Sequence, residues 1–382
     1  MTIGGASVRG GLRRPTVGTS DGEIQVRCPY CLDLVRFASL DDLYGRNAQN
    51  EYERVDLSHI TEGVKYHERL QGTFVRCPNP TGDEARVHYL PTKYLIHEPP
   101  LVVALVGAGL AGKSHLLAAM IGEIERNGLV DYGITCTAVD TAWHQRYSQE
   151  MVVPLQRGES LERTNQSNGE LIAFADALLM HYGGGRSRPV AFFDVSGEEL
   201  ARGGREVQFL AAADAFLYVV DPVTAVDLPI LHDLALHAAA DGAHGLDRTY
   251  AVVLDRLERA GAYLPQPAAV VVTKSDLIRF ETPVDAWLAA GTTPPDRLDP
   301  ARSEAEAADV YAFLHAHGAR PWLRPFEEHR RCTGHFVSAT GMAERNGEFP
   351  GGIRPRRVLD PLVSLLAMCK LLEVPGADLI GV

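Results

Sequence analysis

Residues 101–125 read LVVALVGAGLAGKSHLLAAMIGEIE, and this stretch decides the fold. An apolar run that predicts a buried strand leads into G-x-x-x-x-G-K-S at residues 107–114, and a helix-forming stretch follows. The glycines let backbone N–H groups approach phosphate oxygens closely, and the helix offers its positive end. Lys113 suits the β and γ phosphates of a nucleotide, and Ser114 suits Mg²⁺. A glycine-rich turn without a ligand would not need all of these features, so we predict a nucleotide-binding loop.

Apolar runs recur along the rest of the chain, as PVAFFD, AFLYVVD, AAVVVT and HFVSA. Their hydrophobicity is continuous rather than alternating, which indicates strands buried on both faces, as in a parallel sheet covered by helices. The stretches between them are compatible with helices at 114–126, 198–212, 228–240, 247–261, 303–316 and 359–373. We therefore predict an α/β fold with a mostly parallel sheet and helices on both of its faces.

The tract at 170–181 is open to two interpretations. Its apolar residues suit a helix, but three glycines at 183–185 separate it from the PVAFFD run, as in a β-hairpin. We favour the hairpin.

An acidic element follows the PVAFFD run. Asp194 ends this predicted strand, and Gly197 stands three residues later in DVSG. A carboxylate at that place can hold Mg²⁺ through water, and a glycine there can offer its N–H to the γ phosphate. Alone, the pattern would be a strand ending in a turn; after a phosphate loop, it predicts a second part of the nucleotide site.

Two more elements complete an ordered set. TKSD at 273–276 and VSAT at 337–340 each follow an apolar run. An isolated TKSD would be typical of a helix N-cap formed by Ser275 or Asp276. The four elements together, however, resemble those of the translation-factor and Ras-like (TRAFAC) class of P-loop GTPases, over about residues 101–373.

The resemblance implies a guanine site. Asp276 would accept two hydrogen bonds from the guanine edge, Lys274 would pack along the base, and Ser338 with Ala339 would supply a backbone contact. Thr273 replaces the commoner asparagine, as in the Rho subfamily. Adenine lacks the two donors, and leaving a buried carboxylate unmatched costs about 1–3 kcal/mol or more. The implied nucleotide-binding residues are Gly107, Gly109, Leu110, Ala111, Gly112, Lys113, Ser114, His115, Asp194, Gly197, Thr273, Lys274, Asp276, Ser338 and Ala339.

The resemblance also implies catalytic residues and a switch. Lys113 would act on the phosphates, and a switch threonine would join Ser114 and Asp194 as a Mg²⁺ ligand. We favour Thr164 over Thr141 for this role, within a polar, loop-like region at 140–168.

The residue after Gly197 departs from the family pattern. Glu198 stands where Ras-like proteins usually have the glutamine that orients water. We therefore expect GTP hydrolysis that is slow or depends on a partner. Arg202 and Arg205 could act within the chain, but a solvated helix face is the preferred interpretation.

Residues 21–98 differ from the rest in being polar and rich in cysteine, and HEPP at 97–100 marks the boundary. Cys28, Cys31 and Cys77 are three ligands of a zinc-ribbon pattern whose fourth cysteine is replaced by Pro80. Either His67 or His88 completes a structural Zn²⁺ site, or the module is metal-free. We expect a mobile tail at 1–20, a zinc-ribbon-like module at 21–98 and a GTPase domain at 99–376.

Composition limits the partners. The net charge of −12, with acids and bases interspersed, does not suit nucleic acid or anionic lipid. The apolar tracts are too short to cross a bilayer, and we expect no transmembrane segment. Six cysteines without a disulfide pattern fit a reducing cytoplasm. We interpret EEHRRCTGHF, with His329, Cys332 and His335, as a surface loop, and GGIRPRRV as a solvated basic turn.

These observations predict a Mg²⁺-dependent GTP-binding switch with a protein effector or activating partner. The extended switch region, the ribbon and the extra segment 241–266 make the chain similar to bacterial double-GTPases, which are linked to conflict systems. The alternatives are an ATP-using P-loop enzyme and an adaptor that uses the GTPase fold only as a scaffold.

Overall fold

The computed structural model describes residues 23–60, 63–78, 87–161, 172–196, 209–210, 213–240, 249–290 and 298–382. The predicted tail at 1–20 and most of the predicted helix at 198–212 lie outside these ranges.

The N-terminal module is built from short antiparallel strands. β1 (Ile24–Arg27) pairs with β2 (Leu34–Phe37). A second sheet has the order β4-β3-β5-β6, and its strands are β3 (Leu43–Arg46), β4 (Tyr52–Val55), β5 (Phe74–Arg76) and β6 (Tyr89–Pro91). Helix α1 (Val64–Gln71) connects β4 to β5. The predicted β-rich module is confirmed.

The central sheet has seven strands in the order β13-β12-β11-β7-β10-β9-β8. They are β7 (Leu101–Gly107), β8 (Thr135–Ala138), β9 (Ile172–Tyr182), β10 (Arg186–Ser196), β11 (Ala215–Val220), β12 (Ala268–Val272) and β13 (Cys332–Phe336). β7, β10, β11, β12 and β13 run parallel, and β9 is antiparallel to both β10 and β8. The mostly parallel sheet predicted from the sequence is confirmed.

The hairpin interpretation of 170–181 is confirmed, because β9 and β10 are joined by a short turn at Gly183–Gly185. Gly184 and Gly185 both have positive φ, 70° and 74°, a conformation that glycine adopts without steric cost.

Helices cover both faces of the sheet. After α1 they are α2 (Lys113–Glu125), α3 (Thr141–Tyr147), α4 (Val153–Gln156), α5 (Pro222–Ala225), α6 (His232–Ala240), α7 (Thr249–Leu254), α8 (Val284–Ala290), α9 (Pro300–Ala316), α10 (Arg324–Glu328) and α11 (Asp360–Met368). Every residue of β7 is buried. Val102, Ala104 and Val106 belong to one core, whereas Leu101, Val103 and Leu105 belong to the other. This alternation explains the continuous hydrophobicity of the strand.

One of the two cores extends into the N-terminal module. Val26, Phe37 and Leu90 of the module are buried in the same cluster as Val102 and Val106 of β7. The module therefore packs against the sheet; the predicted boundary near residue 98 stays a prediction.

The predicted loop at 140–168 is wrong over its first part. α3, a π-helical turn at Ser148–Val152 and α4 follow one another without a break. Asp140 caps α3 by accepting hydrogen bonds from Ala142 N (3.0 Å) and Trp143 N (3.3 Å). Buried Val152 and Leu155 then anchor the helical segment against the core. The polar composition concealed these few anchors.

Candidate nucleotide-binding site

The predicted phosphate loop connects β7 to α2. Leu110 and Gly112 have positive φ, 65° and 83°, which form the turn. Gly107 is needed for a different reason, since a Cβ there would lie 2.7 Å from the carbonyl oxygen of Val219 on the neighbouring strand. Local conformation and close strand packing thus each require a glycine of the motif.

Lys113 and Ser114 meet Asp194 at this loop. The buried Lys113 donates hydrogen bonds from Nζ to the carbonyl oxygens of Gly107 and Ala108, both at 2.9 Å, and lies 3.7 Å from Asp194 Oδ1. Ser114 Oγ donates to Asp194 Oδ2 at 3.0 Å. Because β7 and β10 are adjacent and parallel, their carboxyl ends bring the hydroxyl and the carboxylate together, as the motifs predict.

The TKSD element is bonded directly to the phosphate loop. Thr273 Oγ1 donates to Ala111 O at 2.7 Å and lies 3.0 Å from Val220 O. Lys274 Nζ donates to Leu110 O at 2.9 Å and to Asp221 Oδ2 at 2.6 Å. Two motifs about 160 positions apart in the chain are therefore held in one rigid arrangement.

Asp221 is a site residue that the sequence analysis missed. It directly follows β11 and caps α5 by accepting a hydrogen bond from Val223 N at 2.9 Å. Its second carboxylate oxygen holds Lys274, as described above. The available signal was an aspartate at the end of the AFLYVVD run, the same pattern that identified Asp194.

Asp276 and Ser338 form the far end of the site. Ser338 Oγ donates to Asp276 Oδ1 at 2.5 Å and accepts a hydrogen bond from Gly341 N at 2.8 Å. Burial raises the pKa of Asp276, and the bond from Ser338 opposes this shift. Ser275 is buried and donates to Val272 O, so neither it nor Asp276 caps a helix, and the N-cap alternative is wrong.

Ala339 continues the same loop. Its neighbours Ser338 and Thr340 pair through the backbone with Arg356 and Arg354, at 2.7–3.0 Å. In such a pairing the N–H of the intervening residue points to the opposite side. The N–H of Ala339 is therefore directed away from this pair.

His115 joins the phosphate loop to the segment before the predicted switch threonine. Its Nε2 accepts a hydrogen bond from Leu161 N at 3.2 Å, and its ring meets Phe349 edge-on at 5.9 Å. Burial, followed by the charge of Lys274, lowers the pKa of His115 to about 4, so the ring is neutral at pH 7 and can accept this bond. Ser160 Oγ also donates to Glu344 Oε2 at 2.7 Å.

Part of the predicted site lies outside the described residues: Thr164, Gly197, Glu198, Arg202 and Arg205. The competing switch candidate, Thr141, is the exposed first residue of α3. The other predicted nucleotide-binding residues lie at or just beyond the carboxyl ends of parallel strands, at one edge of the sheet.

A second cluster lies in the N-terminal module. Ligand atoms of Cys28, Cys31, Cys77 and His88 all lie within 4.8 Å of one another. Cys31 Sγ is 3.8 Å from Cys77 Sγ, and Cys28 Sγ is 3.1 Å from His88 Nε2. Cys77 directly follows β5 and His88 directly precedes β6, so the two residues extend this pair of strands, with Cys77 N donating to His88 O at 3.0 Å. His67 instead lies on the exposed side of α1, and Pro80 lies outside the described residues.

The interpretation of EEHRRCTGHF as a surface loop is wrong. His329 and His335 are each only 3% exposed, and Cys332–Phe336 is a strand of the sheet. His329 contacts the Tyr218 hydroxyl at 3.0 Å, whereas His335 Nδ1 contacts Glu306 at 3.2 Å. The two rings therefore belong to different polar contacts and not to one ligand set.

GGIRPRRV is not fully solvated either. Arg357 is 2% exposed and donates to both carboxylate oxygens of Glu306, at 2.5 and 2.8 Å, and from Nε to Asp360 Oδ2 at 2.9 Å.

The fold and these four ordered elements define a P-loop GTPase. A family model described as Double-GTPase 2 matches residues 101–316, more than half of the 382-residue chain. The chain belongs to the Double-GTPase 2 family, which supports guanine-nucleotide binding. A search of curated proteins finds no match. Among the described helices, none combines the length and the apolar character that a membrane span requires.

Proposed function

We propose that this protein is a Mg²⁺-dependent guanine-nucleotide switch whose hydrolysis of GTP is slow or stimulated by a partner. The observation that carries the proposal is the bonding of Thr273 and Lys274 to the carbonyl oxygens of Ala111 and Leu110. This bonding fixes the predicted base-reading element against the predicted phosphate-binding element. A ligand that spans both would have a base at one end and phosphates at the other.

The preference for guanine is assigned to Asp276. The Ser338 hydroxyl fixes one carboxylate oxygen, and the side chain is half-buried. Two donors on the guanine edge match a carboxylate, whereas adenine would leave it without them. The backbone N–H of Ala339 is proposed to contact the oxygen of the base.

Ser114 and Asp194 are proposed to hold Mg²⁺, together with Thr164 of the predicted switch. A hydroxyl and a carboxylate oxygen at 3.0 Å from each other form an oxygen ligand set of the kind that Mg²⁺ prefers. When bound, Mg²⁺ would supply positive charge that offsets the charge of the phosphates. Lys113 would exchange its bonds with the loop carbonyls for bonds with phosphate oxygens, which keeps its buried charge paired.

The slow rate is inferred from Glu198. Glu198 stands in the place of the family's glutamine, and a carboxylate there would be repelled by the phosphate charge and would align water less well than a neutral amide does. A partner that supplies a positive group would then raise the rate.

The second cluster is proposed to bind Zn²⁺, with Cys28, Cys31, Cys77 and His88 as its four ligands. Three thiolates and an imidazole are a common structural zinc set, and tetrahedral Zn–S bonds of about 2.3 Å place two sulfurs about 3.8 Å apart. The distance between the sulfurs of Cys31 and Cys77 is 3.8 Å, which fits.

Competition for a fluorescent GDP analogue tests the nucleotide preference. We expect GTP and GDP to displace the analogue in the presence of Mg²⁺, and ATP to do so only at concentrations at least 100-fold higher, in line with the cost of unmatched polar groups. Displacement by ATP as effective as by GTP would favour the ATP-using alternative instead. Lys113→Ala is the control for phosphate contacts, and it should weaken binding of every nucleotide.

A further inference from the structure

Helix α3 is held from outside by the N-terminal module. The Arg46 guanidinium of β3 donates to both carboxylate oxygens of Asp140, at 3.0 and 2.5 Å. Asp140 is also the N-cap of α3. The guanidinium lies over the rings of Tyr52 and Phe74, at 5.2 and 4.6 Å, which fixes its position. The first turn of α3 is thus anchored to the module by a charge-assisted, two-point contact.

The proposed zinc site reaches the same helix. Tyr30 lies between the ligands Cys28 and Cys31. Its ring lies with its centroid 5.5 Å from that of the proposed ligand His88, 6.1 Å from that of Trp143 of α3 and 5.7 Å from that of Phe174 of β9. The turn that would hold the metal therefore places an aromatic side chain directly against α3.

Trp143 carries this contact to the edge of the nucleotide site. Its Nε1 donates to Ala175 O at 2.8 Å, at the place where the register of β9 against β10 shifts between Phe192 and Phe193. The ring of Phe174 packs against Phe193 at 5.4 Å. Phe193 directly precedes Asp194, the proposed Mg²⁺ carboxylate.

The end of α3 is anchored on the other side of the sheet. Tyr147, one turn after Trp143, packs with the core that contains α2, whereas Trp143 contacts residues of the opposite core. His144 between them bonds Asp176 at 2.6 Å and lies 3.3 Å from Glu125 at the end of α2. A displacement of α3 would therefore change its contacts with α2, the helix that follows the phosphate loop, and with β9, which pairs with the strand that carries Asp194.

We propose that the metal-loaded N-terminal module braces α3, and that loss of the metal loosens α3 and speeds release of guanine nucleotide. This inference rests on the proposed binding of guanine nucleotide and of Zn²⁺. A metal that binds the braced arrangement more tightly must, by linkage, stabilise every ligand that prefers the same arrangement. The module thus regulates the nucleotide site from within the chain.

The test uses the full chain loaded with a fluorescent GDP analogue in excess Mg²⁺, before and after treatment with a zinc-selective chelator. Zinc content, hydrogen exchange of peptides covering Thr141–Tyr147 and the dissociation rate of the analogue are measured. We expect about one zinc per chain before treatment. After treatment, exchange in α3 should rise, and dissociation should speed up by about fivefold or more, the lower limit of typical couplings.

Tyr30→Ala separates the brace from the metal, because it leaves all four ligands in place. It should keep its zinc, release the analogue as fast as the chelated wild type, and respond little to the chelator. Tyr30→Phe keeps the ring and should behave as wild type, and Tyr66→Ala is the matched control within the module. If Tyr30→Ala does not fold, Trp143→Phe serves instead, since it removes the bond to Ala175 and reduces the ring that packs against Tyr30 and Phe174, and it should speed release in the same direction.

Unchanged exchange in α3 and unchanged dissociation after zinc removal would overturn the inference, as would a chain that takes up no zinc. Failure of the proposed function is distinguishable from these outcomes. A chain that binds no guanine nucleotide would refute that function, while hydrogen exchange in α3 would still decide whether the module braces the helix.

Discussion

Replacement of Asp276 by asparagine is the sharpest test of the guanine assignment. The change keeps the shape of the side chain and an oxygen that can accept the Ser338 hydrogen bond, now 2.5 Å long. It removes the charge and turns one of the two acceptors into a donor that faces a donor of guanine. Burial raises the pKa of Asp276, which shows that the charged form is disfavoured there; a neutral amide avoids that cost of burying a charge, and we expect the free protein to stay folded.

The size of the effect follows from the hydrogen bonds lost. A hydrogen bond to a charged group contributes about 1.5–3 kcal/mol, and the opposed donors add a desolvation cost. A total of about 2–4 kcal/mol corresponds to a loss of about 30-fold to 1,000-fold in affinity for GDP. Affinity for xanthosine diphosphate should rise, because its base presents a carbonyl where guanine presents an amino group. Titration of fluorescent analogues of both nucleotides measures the two constants.

The matched control is Asp285→Asn, which removes an exposed carboxylate in the first turn of α8. It should leave both affinities within about twofold of wild type, as for other exposed substitutions. If Asp276→Asn also stays within about threefold of wild type for GDP while remaining folded, the carboxylate does not face the base, and the guanine assignment fails.

Three further predictions concern the frame of the site. Gly107→Ala should cost about 1–3 kcal/mol of unfolding free energy and weaken nucleotide binding, since the added Cβ would lie 2.7 Å from Val219 O. Gly72→Ala is the control, because its Cβ would make only an ordinary contact at 3.5 Å, and it should leave the unfolding free energy unchanged in the same denaturant titration. Equal effects of the two substitutions would refute this account. Burial opposes the shift, but His335 and Arg357 lower the pKa of Glu306 to about 2, so the carboxylate's contribution to stability is present above about pH 4.5 and is lost as the pH falls towards 2. Glu306→Gln should cost about 3–5 kcal/mol of unfolding free energy at pH 7 and should lose less stability than wild type on acidification. Identical slopes of stability against pH in acid would contradict the pairing. Hydrogen bonds to Asp176 and Glu125 raise the pKa of His144 to about 10, so the stability that the charged ring contributes is complete below about pH 6.5 and is lost as the pH rises through 10. Between pH 7 and 10 the melting temperature should therefore fall more for wild type than for His144→Gln. Parallel curves for the two proteins would show that the ring is not charged.

The central sheet could be predicted from the sequence because its central strands β7, β11 and β12 are buried at every position and are therefore apolar throughout. The edge strand β8 was not predicted, because two of the four residues of TCTA are exposed and the sequence therefore shows no apolar run there. The same physics explains α3. α3 itself has no buried residue, so its polar sequence predicts a loop. The N-cap formed by Asp140 and the contacts of the helix with the N-terminal module, which the sequence does not show, stabilise it as a helix.

The meeting of the motifs at one edge could also be predicted, because carboxyl ends of parallel strands share an edge whatever the loops contain. Asp221 was missed because its partner, Lys274, lies 53 positions away and no short motif joins them. The choice between His67 and His88 depended on the register of β5 and β6, in which Arg76 faces Tyr89 and the next pair is Cys77 with His88. Arg357 looked solvated because its partner Glu306 lies 51 positions away in the chain.

These contacts assign different tasks to residues that a motif treats as one unit. In TKSD, Thr273 and Lys274 are engaged with the phosphate loop, while Asp276 is engaged with the loop that carries Ser338. The TKSD element therefore joins two loops, and we expect a nucleotide that occupies the site to stabilise its contacts with both of them. Leu161 meets the same assembly through His115, and α3 bonds to Ala175 of β9, the strand that pairs with the one carrying Asp194. Because these last two contacts lead to the phosphate loop and to the strand that carries Asp194, we expect a change that loosens either of them to alter nucleotide affinity more than the preference for guanine, which is assigned to Asp276.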